Sequence, residues 1–305
     1  MQDAVPMLKL ERILNQDRLM RAMTGLNRKA FEALLPSFTH AYQQSLIKPE
    51  AKRKRAPGGG RKATLKTMAD KLFYILLYCK CYPTFDLMGV LFEFDRSCAW
   101  DWVHGLLPIL EQALGHKRAL PERKLRSLQE FLERFPEVKE VILDGTERPV
   151  RRPQDSAQQK AHYSGKKKRH TRKHITGSTR QKRVILLSKA RPGSVHDKRQ
   201  LDEEDLVGHI PDEVAVEGDL GFQGLQNEFE NIHLPHKKPR GKELSEQQKQ
   251  ENREFSRQRV KCEHAHAGIK RYNSVTAVYR NRVTDFDDRL MLNAAGLWNF
   301  YLEAA

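Results

Sequence analysis

Cysteine is scarce in this chain and poorly placed for structural work. Of 305 residues only Cys79, Cys81, Cys98 and Cys262 carry a thiol, and their spacing makes neither a disulfide ladder nor a C-x-x-C metal pair. Long apolar runs are missing too: no stretch approaches the roughly 20 residues that a membrane helix needs. The N-terminus lacks the charged region and unbroken apolar stretch of a secretory signal. These absences predict a reduced, cytoplasmic protein with no membrane partner. Acids are also in deficit, with 39 Asp and Glu against 55 Lys and Arg and a formal net charge of +16.

The charge that is present is concentrated. From Arg151 to Arg191, 14 Lys or Arg stand against a single acid, Asp155. A second cluster, Lys52-Arg53-Lys54-Arg55, leads through Pro57 and Gly58-Gly59-Gly60 to Arg61-Lys62, the composition of a flexible basic arm or linker. A lone basic run is often only a solvated tail; two in one chain point to a polyanionic partner. The glycines do not follow a strand and lack the spacing of a phosphate-binding loop.

Apolar spacing divides the chain. Leu10, Ile13 and Leu14, then Phe31, Leu34, Leu35 and Phe38, recur at three and four residues and predict helices before residue 50. Met68 to Tyr82 is apolar on nearly all sides, as a buried central helix would be. Thr84 opens a helix from Phe85 to Phe92, and Asp95 can cap another through Trp100, Trp102, Val103 and Leu106. This order suits either a helix-turn-helix, with Arg96, Ser97 and Trp100 at the start of its second helix, or a small bundle that binds nothing. From about Pro136 the pattern becomes that of strands: Val141 to Leu143, Lys173 to Gly177, Val184 to Ser188 and Val214 to Val216, with a helical interval from Lys198 to Val207. Ser245 and Gln248 make a capping box for a long helix reaching about Tyr272, and a last helix aligns Phe286, Leu290, Ala294, Leu297, Trp298 and Tyr301. Strands, a crossover helix, a strand and then helices describe an α/β layer.

Two aspartates end predicted apolar strands and touch glycine, in Ile142-Leu143-Asp144-Gly145 and Glu217-Gly218-Asp219-Leu220-Gly221. A carboxylate at a strand tip is rigidly held, and a neighbouring glycine lets a phosphate or another chain segment come close. Such aspartates also serve as plain turn caps. In the long helix, Arg259, Glu263, His266 and Lys270 share one stripe, which is either a third acid set among cations or an ordinary solvated face. Clustered carboxylates are favourable only with a cation among them, and phosphodiester chemistry on divalent metal uses such a set. Cys262, His264 and His266 match no structural zinc spacing. Ser194, His196 and Asp197 sit too close in sequence for a hydrolase triad and read as loop-shaping or capping residues.

The segments Asp144-Gly145-Thr146-Glu147-Arg148-Pro149, Tyr163 to Thr171, Gly193-Ser194-Val195-His196-Asp197, Gly218 to Gly224 and Lys237 to Lys270 resemble, in order, the DDE transposases of the bacterial insertion-sequence-five group. The family's Y-x2-R-x3-E-x6-K signature reads here as Arg259, Glu263 and Lys270, with Ser256 in place of the tyrosine and Phe255 beside it. The resemblance implies a mixed RNase H-like sheet flanked by helices over residues 136–305, with Asp144, Asp219 and Glu263 as catalytic, metal-holding carboxylates. It implies a helix-turn-helix DNA-binding region over 60–135, behind a helical segment and basic linker at 1–59. It further implies Mg²⁺, or Mn²⁺ in its place, double-stranded DNA as partner, and a homo-oligomer on DNA. Expected DNA contacts are Arg61, Arg96, Lys166, Lys167, Lys168, Arg169, Arg259 and Lys270. The implied reaction is cleavage at insertion-sequence ends and transfer of the 3′-hydroxyl into target DNA. A domesticated nuclease, or a DNA-binding protein without catalysis, would carry many of the same residues.

Overall fold

The computed structural model describes residues 10–46 and 63–304, leaving the side chains of 258–262 undescribed. The described chain forms two compact units. One holds the chain up to Leu120 with Arg271–Val275 and the segment from Arg289 on; the other holds Pro121–Lys270 and Thr276–Asp288.

The first unit is helical: α1 (Leu10–Leu14), α2 (Asp17–Thr24), α3 (Arg28–Leu46), α4 (Met68–Cys81), α5 (Phe85–Phe92) and α6 (Arg96–His116). Helix α4 starts on a capping box, with the Asp70 N–H donating to Thr67 Oγ1 and the Thr67 N–H to Asp70 Oδ2. Every residue from Lys71 to Cys79 is buried, as its all-round apolar sequence predicts. Thr84 caps α5 by accepting from the Leu87 N–H at 3.2 Å. Asp95 stands at the N-cap of α6, but its side chain makes no capping bond.

The second unit is a mixed α/β layer. Its elements are α7 (Leu128–Arg134), β1 (Glu140–Pro149), α8 (Ser156–His162), β2 (Tyr163–Ser164), β3 (Arg169–Ser178), β4 (Val184–Leu187), β5 (Arg191–Pro192), α9 (Asp197–Glu204), β6 (Ala215–Glu217), β7 (Ile232–His233) and α10 (Glu246–Lys270). Two more helices follow in the chain: the single turn α11 (Asn273–Thr276), which lies in the first unit up to Val275, and the long α12 (Phe286–Ala304), which passes into the first unit at Arg289. Strand β3 pairs antiparallel with β1 and β4, while β6 lies parallel to both β1 and β7. The sheet therefore changes direction at β1.

Alternation along β1 sends Val141 and Leu143 to one face, where they join Ile175, Leu201, Val216 and Phe222 in the apolar core. Ile142, Asp144 and Thr146 go to the other face beside Ser178, Thr176 and His174 of β3. Helix α10 begins as its capping box predicts, with the Gln248 N–H donating to Ser245 Oγ and the Ser245 N–H to Gln248 Oε1, both at 3.1 Å.

An acid anchors the far end of this unit. Asp288 accepts from Arg123 Nη2 at 2.8 Å, from the Ala190 N–H at 3.1 Å and from His174 Nε2 at 3.2 Å. Burial alone would push its carboxyl up; the His174 hydrogen bond, the charges of Arg123 and His174 and the Ala190 N–H together hold it below its usual 3.8. A depressed carboxyl adds stability above its unfolded value and loses it as pH falls through the folded one. Asp288→Asn is therefore expected to be less stable than wild type near neutrality, with the gap narrowing below about pH 4. Urea midpoints measured from neutral to acid pH check this.

Candidate functional site

The register of the parallel pair brings the two sequence-predicted aspartates together. Ile142 of β1 faces Glu217 of β6, and Asp144 and Asp219 each lie two residues further on, one step of strand alternation past that pair. Asp144 does not end its strand: β1 continues to Pro149 because residues 142–149 stay paired with β3 after β6 has stopped. What ends at Ile142 is the parallel half of the pairing, so Asp144 stands where the sheet opens. Asp219 caps a single 3-10 turn, Leu220–Phe222. Each aspartate accepts a backbone N–H from its own segment at 2.8 Å, Asp144 Oδ1 from Gly145 and Asp219 Oδ1 from Gly221. Both are half-buried.

The glycines beside these aspartates accommodate a third carboxylate that sequence reading placed only in a loop. A Cβ on Gly145 would meet Asp197 Oδ1 at 3.4 Å; one on Gly221 would come 2.6 Å from Asp197 Oδ2 and 2.8 Å from Asp219 Oδ1. Asp197 thus lies beneath both segments. Lys173 holds it there, its Nζ donating to Asp197 Oδ1 and to the Val195 carbonyl, each at 2.6 Å. The N-cap of α9 is His196, without a side-chain bond, so Asp197 shapes the loop through Lys173 and does not cap the helix. Lys173 gave no signal of its own; the recurrence of Gly193 to Asp197 in the resemblance was the trace of this contact.

The two glycines should respond differently to a methyl group. At Gly145 the contact is ordinary van der Waals distance, and Gly145→Ala is expected to change stability by less than about 1 kcal/mol. At Gly221 the methyl must displace Asp197 or Asp219, both pinned by hydrogen bonds. Gly221→Ala is expected to cost about 1–3 kcal/mol, the range of an overpacked site. Urea midpoints of the two variants, measured side by side, are the check.

Helix α10 covers the other face of the sheet. Ala265, His266 and Ile269 are buried, while Glu263, His264 and Lys270 are exposed. The ring of His266 is aimed into the site, with Nδ1 3.1 Å from Asp144 Oδ2 and Nε2 2.6 Å from Thr176 Oγ1. Glu263 lies one turn before His266, at the solvent edge of the seam. The structure therefore places Asp144 and Asp219 on neighbouring segments, each two residues past the last parallel pair, and puts Glu263 one helical turn from the residue that touches Asp144. Among the described residues, no three His, Cys, Asp or Glu side chains are gathered closely enough to enclose a metal.

The donor set suits a hard cation all the same. Asp144 and Asp219, both half-buried, stand on neighbouring segments where the sheet opens, with Glu263 on a flanking helix; all are oxygen donors, as Mg²⁺ requires, and Mg²⁺ takes few protein ligands. His266 is engaged by Thr176 and Asp144, and His264 is exposed.

Of the expected DNA contacts, Lys166, Lys167 and Lys168 lie on the exposed turn joining β2 to β3, and Arg169, also exposed, is the first residue of β3. Lys168 adopts a positive φ of 54°, and the Lys167 N–H donates to Ser164 Oγ at 3.1 Å. Arg96 opens α6, exposed, 3.9 Å from Asp86; Trp100, one turn on, is 42% exposed and stacks on His104. Lys270 is the last residue of α10. Ser256, where the family signature has tyrosine, bonds back to the Asn252 carbonyl at 2.8 Å. Arg61, the basic linker and the side chains of Arg259 and Cys262 lie outside the described residues.

Residues 143–299 match a family of proteins described as DDE superfamily endonucleases. The chain is also 29% identical, over 286 residues covering 93% of its length and 95% of the relative's, to a protein of Microchaete diplosiphon described as "Probable transposase for insertion sequence element IS702". No solved structure matches it.

Proposed function

The chain belongs to the DDE superfamily endonucleases, and from that premise we propose that it is an insertion-sequence transposase, of the insertion-sequence-five kind, cutting DNA at element ends and joining the freed 3′-hydroxyl to target DNA. The observation that carries this reading is the sheet register. It sets Asp144 and Asp219 at equivalent places past the last parallel pair of β1 and β6, with α10 against the same face. The strand order β4, β3, β1, β6, β7, antiparallel on one side of β1 and parallel on the other, supports an RNase H-like reading of this layer.

Asp144, Asp219 and Glu263 would hold divalent metal, Mg²⁺ or Mn²⁺, whose chemistry is to polarise the scissile phosphate and make water or a 3′-hydroxyl nucleophilic at neutral pH. The protein's own part is placement. Strand β1 and the 3-10 turn fix the aspartates, Asp197 and Lys173 support both segments from below, and α10 delivers Glu263. The turn of Lys166, Lys167, Lys168 and Arg169, together with Arg259 and Lys270, would grip phosphates and set register without reading bases. Helices α5 and α6 would act as a helix-turn-helix within residues 60–135, with Arg96 and Arg61 on DNA and catalysis confined to 136–305. Joining two element ends calls for more than one copy of the chain.

One observation favours a second reading, a DNA-binding protein without catalysis: Glu263 is exposed and the three carboxylates are not enclosed as a cluster. Incubating the chain with a duplex carrying its own element's end and a supercoiled target plasmid, in Mg²⁺ and in EDTA, separates the two. The transposase reading expects metal-dependent nicks bearing 3′-hydroxyls, followed by joined products. Tight binding with no cleavage in Mg²⁺ or Mn²⁺ would establish the second.

A further inference from the structure

We propose that His266 is a positioning residue for the three-carboxylate site, fixing the Asp144 carboxylate and, through it, the placement of Glu263; this rests on the transposase reading above. His266 is 6% exposed, and both its ring nitrogens are engaged. Nε2 lies 2.6 Å from Thr176 Oγ1, and Nδ1 lies 3.1 Å from Asp144 Oδ2. Thr176 is the direct cross-strand partner of Asp144 in the β1/β3 register, so one imidazole ties two strands and a helix at a single point.

The hydrogen-bond inventory assigns the roles. The Asp144 carboxylate can only accept, so His266 Nδ1 carries the proton of that 3.1 Å contact. Nε2 pairs with the Thr176 hydroxyl at 2.6 Å. The same hydroxyl donates to the Asp144 carbonyl at 3.3 Å. Gly145 N–H holds Oδ1 and His266 holds Oδ2, so the carboxylate plane is set from two sides before any cation arrives.

The same contact locates Glu263. His266 is seated on the sheet between Ala265 and Ile269, both buried on the same side of α10. Glu263, three residues earlier, projects from the adjacent turn of the same stripe. Rotation or sliding of α10 along the sheet would move Glu263 away from Asp144, and the His266 bonds oppose it. Partners that orient metal-holding groups commonly matter by about 10- to 100-fold in metal affinity.

The test uses the full chain and Mn²⁺ alone as probe, with binding followed by electron paramagnetic resonance in the absence of DNA and turnover. His266→Leu keeps bulk and removes both nitrogens; His266→Asn keeps a donor where Nδ1 stands; Thr176→Val releases Nε2. Expected are Mn²⁺ binding about 10- to 100-fold weaker in His266→Leu, largely restored in His266→Asn, and intermediate in Thr176→Val. In the metal-free protein, amide exchange over residues 263–270 should be faster in His266→Leu than in His266→Asn. A merely structural role would leave the two His266 variants alike in Mn²⁺ affinity, and that result overturns the proposal, as does wild-type affinity in His266→Leu. Should His266→Leu fail to fold, His266→Asn and Thr176→Val decide: near-wild-type affinity in the first with weakening in the second supports the role, and equal values in both refute it. Asp144→Asn runs alongside. Wild-type Mn²⁺ affinity in that variant would show that the transposase site itself was misread, whereas loss there with no effect at His266 removes only the positioning role.

Discussion

Asp144→Asn, Asp219→Asn and Glu263→Gln are each expected to slow metal-dependent nicking by about 10³-fold or more, with duplex affinity within a few-fold of wild type. The reason is electrostatic. Charge on a phosphorane-like transition state is stabilised through divalent metal by several kcal/mol, and each loss of about 1.4 kcal/mol is a decade in rate. An amide in place of a carboxylate keeps the shape and removes the charge that holds the cation. The three substitutions differ in side effects. Glu263 is exposed, so Glu263→Gln alters little besides chemistry and is the cleanest of the set. Asp144→Asn also changes the pairing with His266. Single-turnover nicking beside gel-shift affinity separates the effects, and any variant that nicks within tenfold of wild type takes its residue out of the site.

Salt should weaken DNA binding steeply, and the turn of Lys166, Lys167, Lys168 and Arg169 should account for a measurable part of the slope. Affinity that rests on 6 to 10 phosphate contacts falls by about 10³- to 10⁵-fold between 50 and 200 mM salt. The four cations are exposed, and substitutions at exposed surface positions usually change stability by less than about 0.5 kcal/mol. Replacing all four by serine is expected to reduce the log–log salt slope by about 3 to 4, the equivalent of four phosphates. Affinity for different duplex sequences should fall in parallel, because phosphate contacts position and do not read. An unchanged slope would move the DNA path to another face of the molecule.

The elements that local chemistry dictates were legible from the sequence. Helix α5 begins after Thr84 and α10 after Ser245 because each hydroxyl accepts an N–H three residues on. The apolar runs at Val141, Val184 and Val214 became β1, β4 and β6 because each feeds one core. Where the reading stopped short, the cause was pairing at long range. Strand β1 runs on through Thr146, Glu147 and Arg148 because β3 supplies a partner for each, and those residues carry no apolar run. Strands β2, β5 and β7 are two residues each, too short for any periodic signal.

At the site the sequence offered the acids and the stripe on α10 but not what surrounds them. That Asp144 and Asp219 stand together follows from a register between segments far apart in the chain. That Gly145 and Gly221 make room for Asp197 follows from the same register; read alone, those glycines suggested the approach of a phosphate or another segment. His266 entered the sequence reading as one member of a helical stripe. Only the seating of α10 turned it inward while leaving Glu263 at the edge.

The most direct test of the central claim is the anomalous scattering of Mn²⁺ in crystals of the full chain bound to a duplex carrying its element's end. The account predicts a Mn²⁺ peak held by Asp144 and Asp219, with the Glu263 carboxylate drawn to it. A well-ordered complex with no ion between those two aspartates, or with its ion held by other side chains, would contradict it.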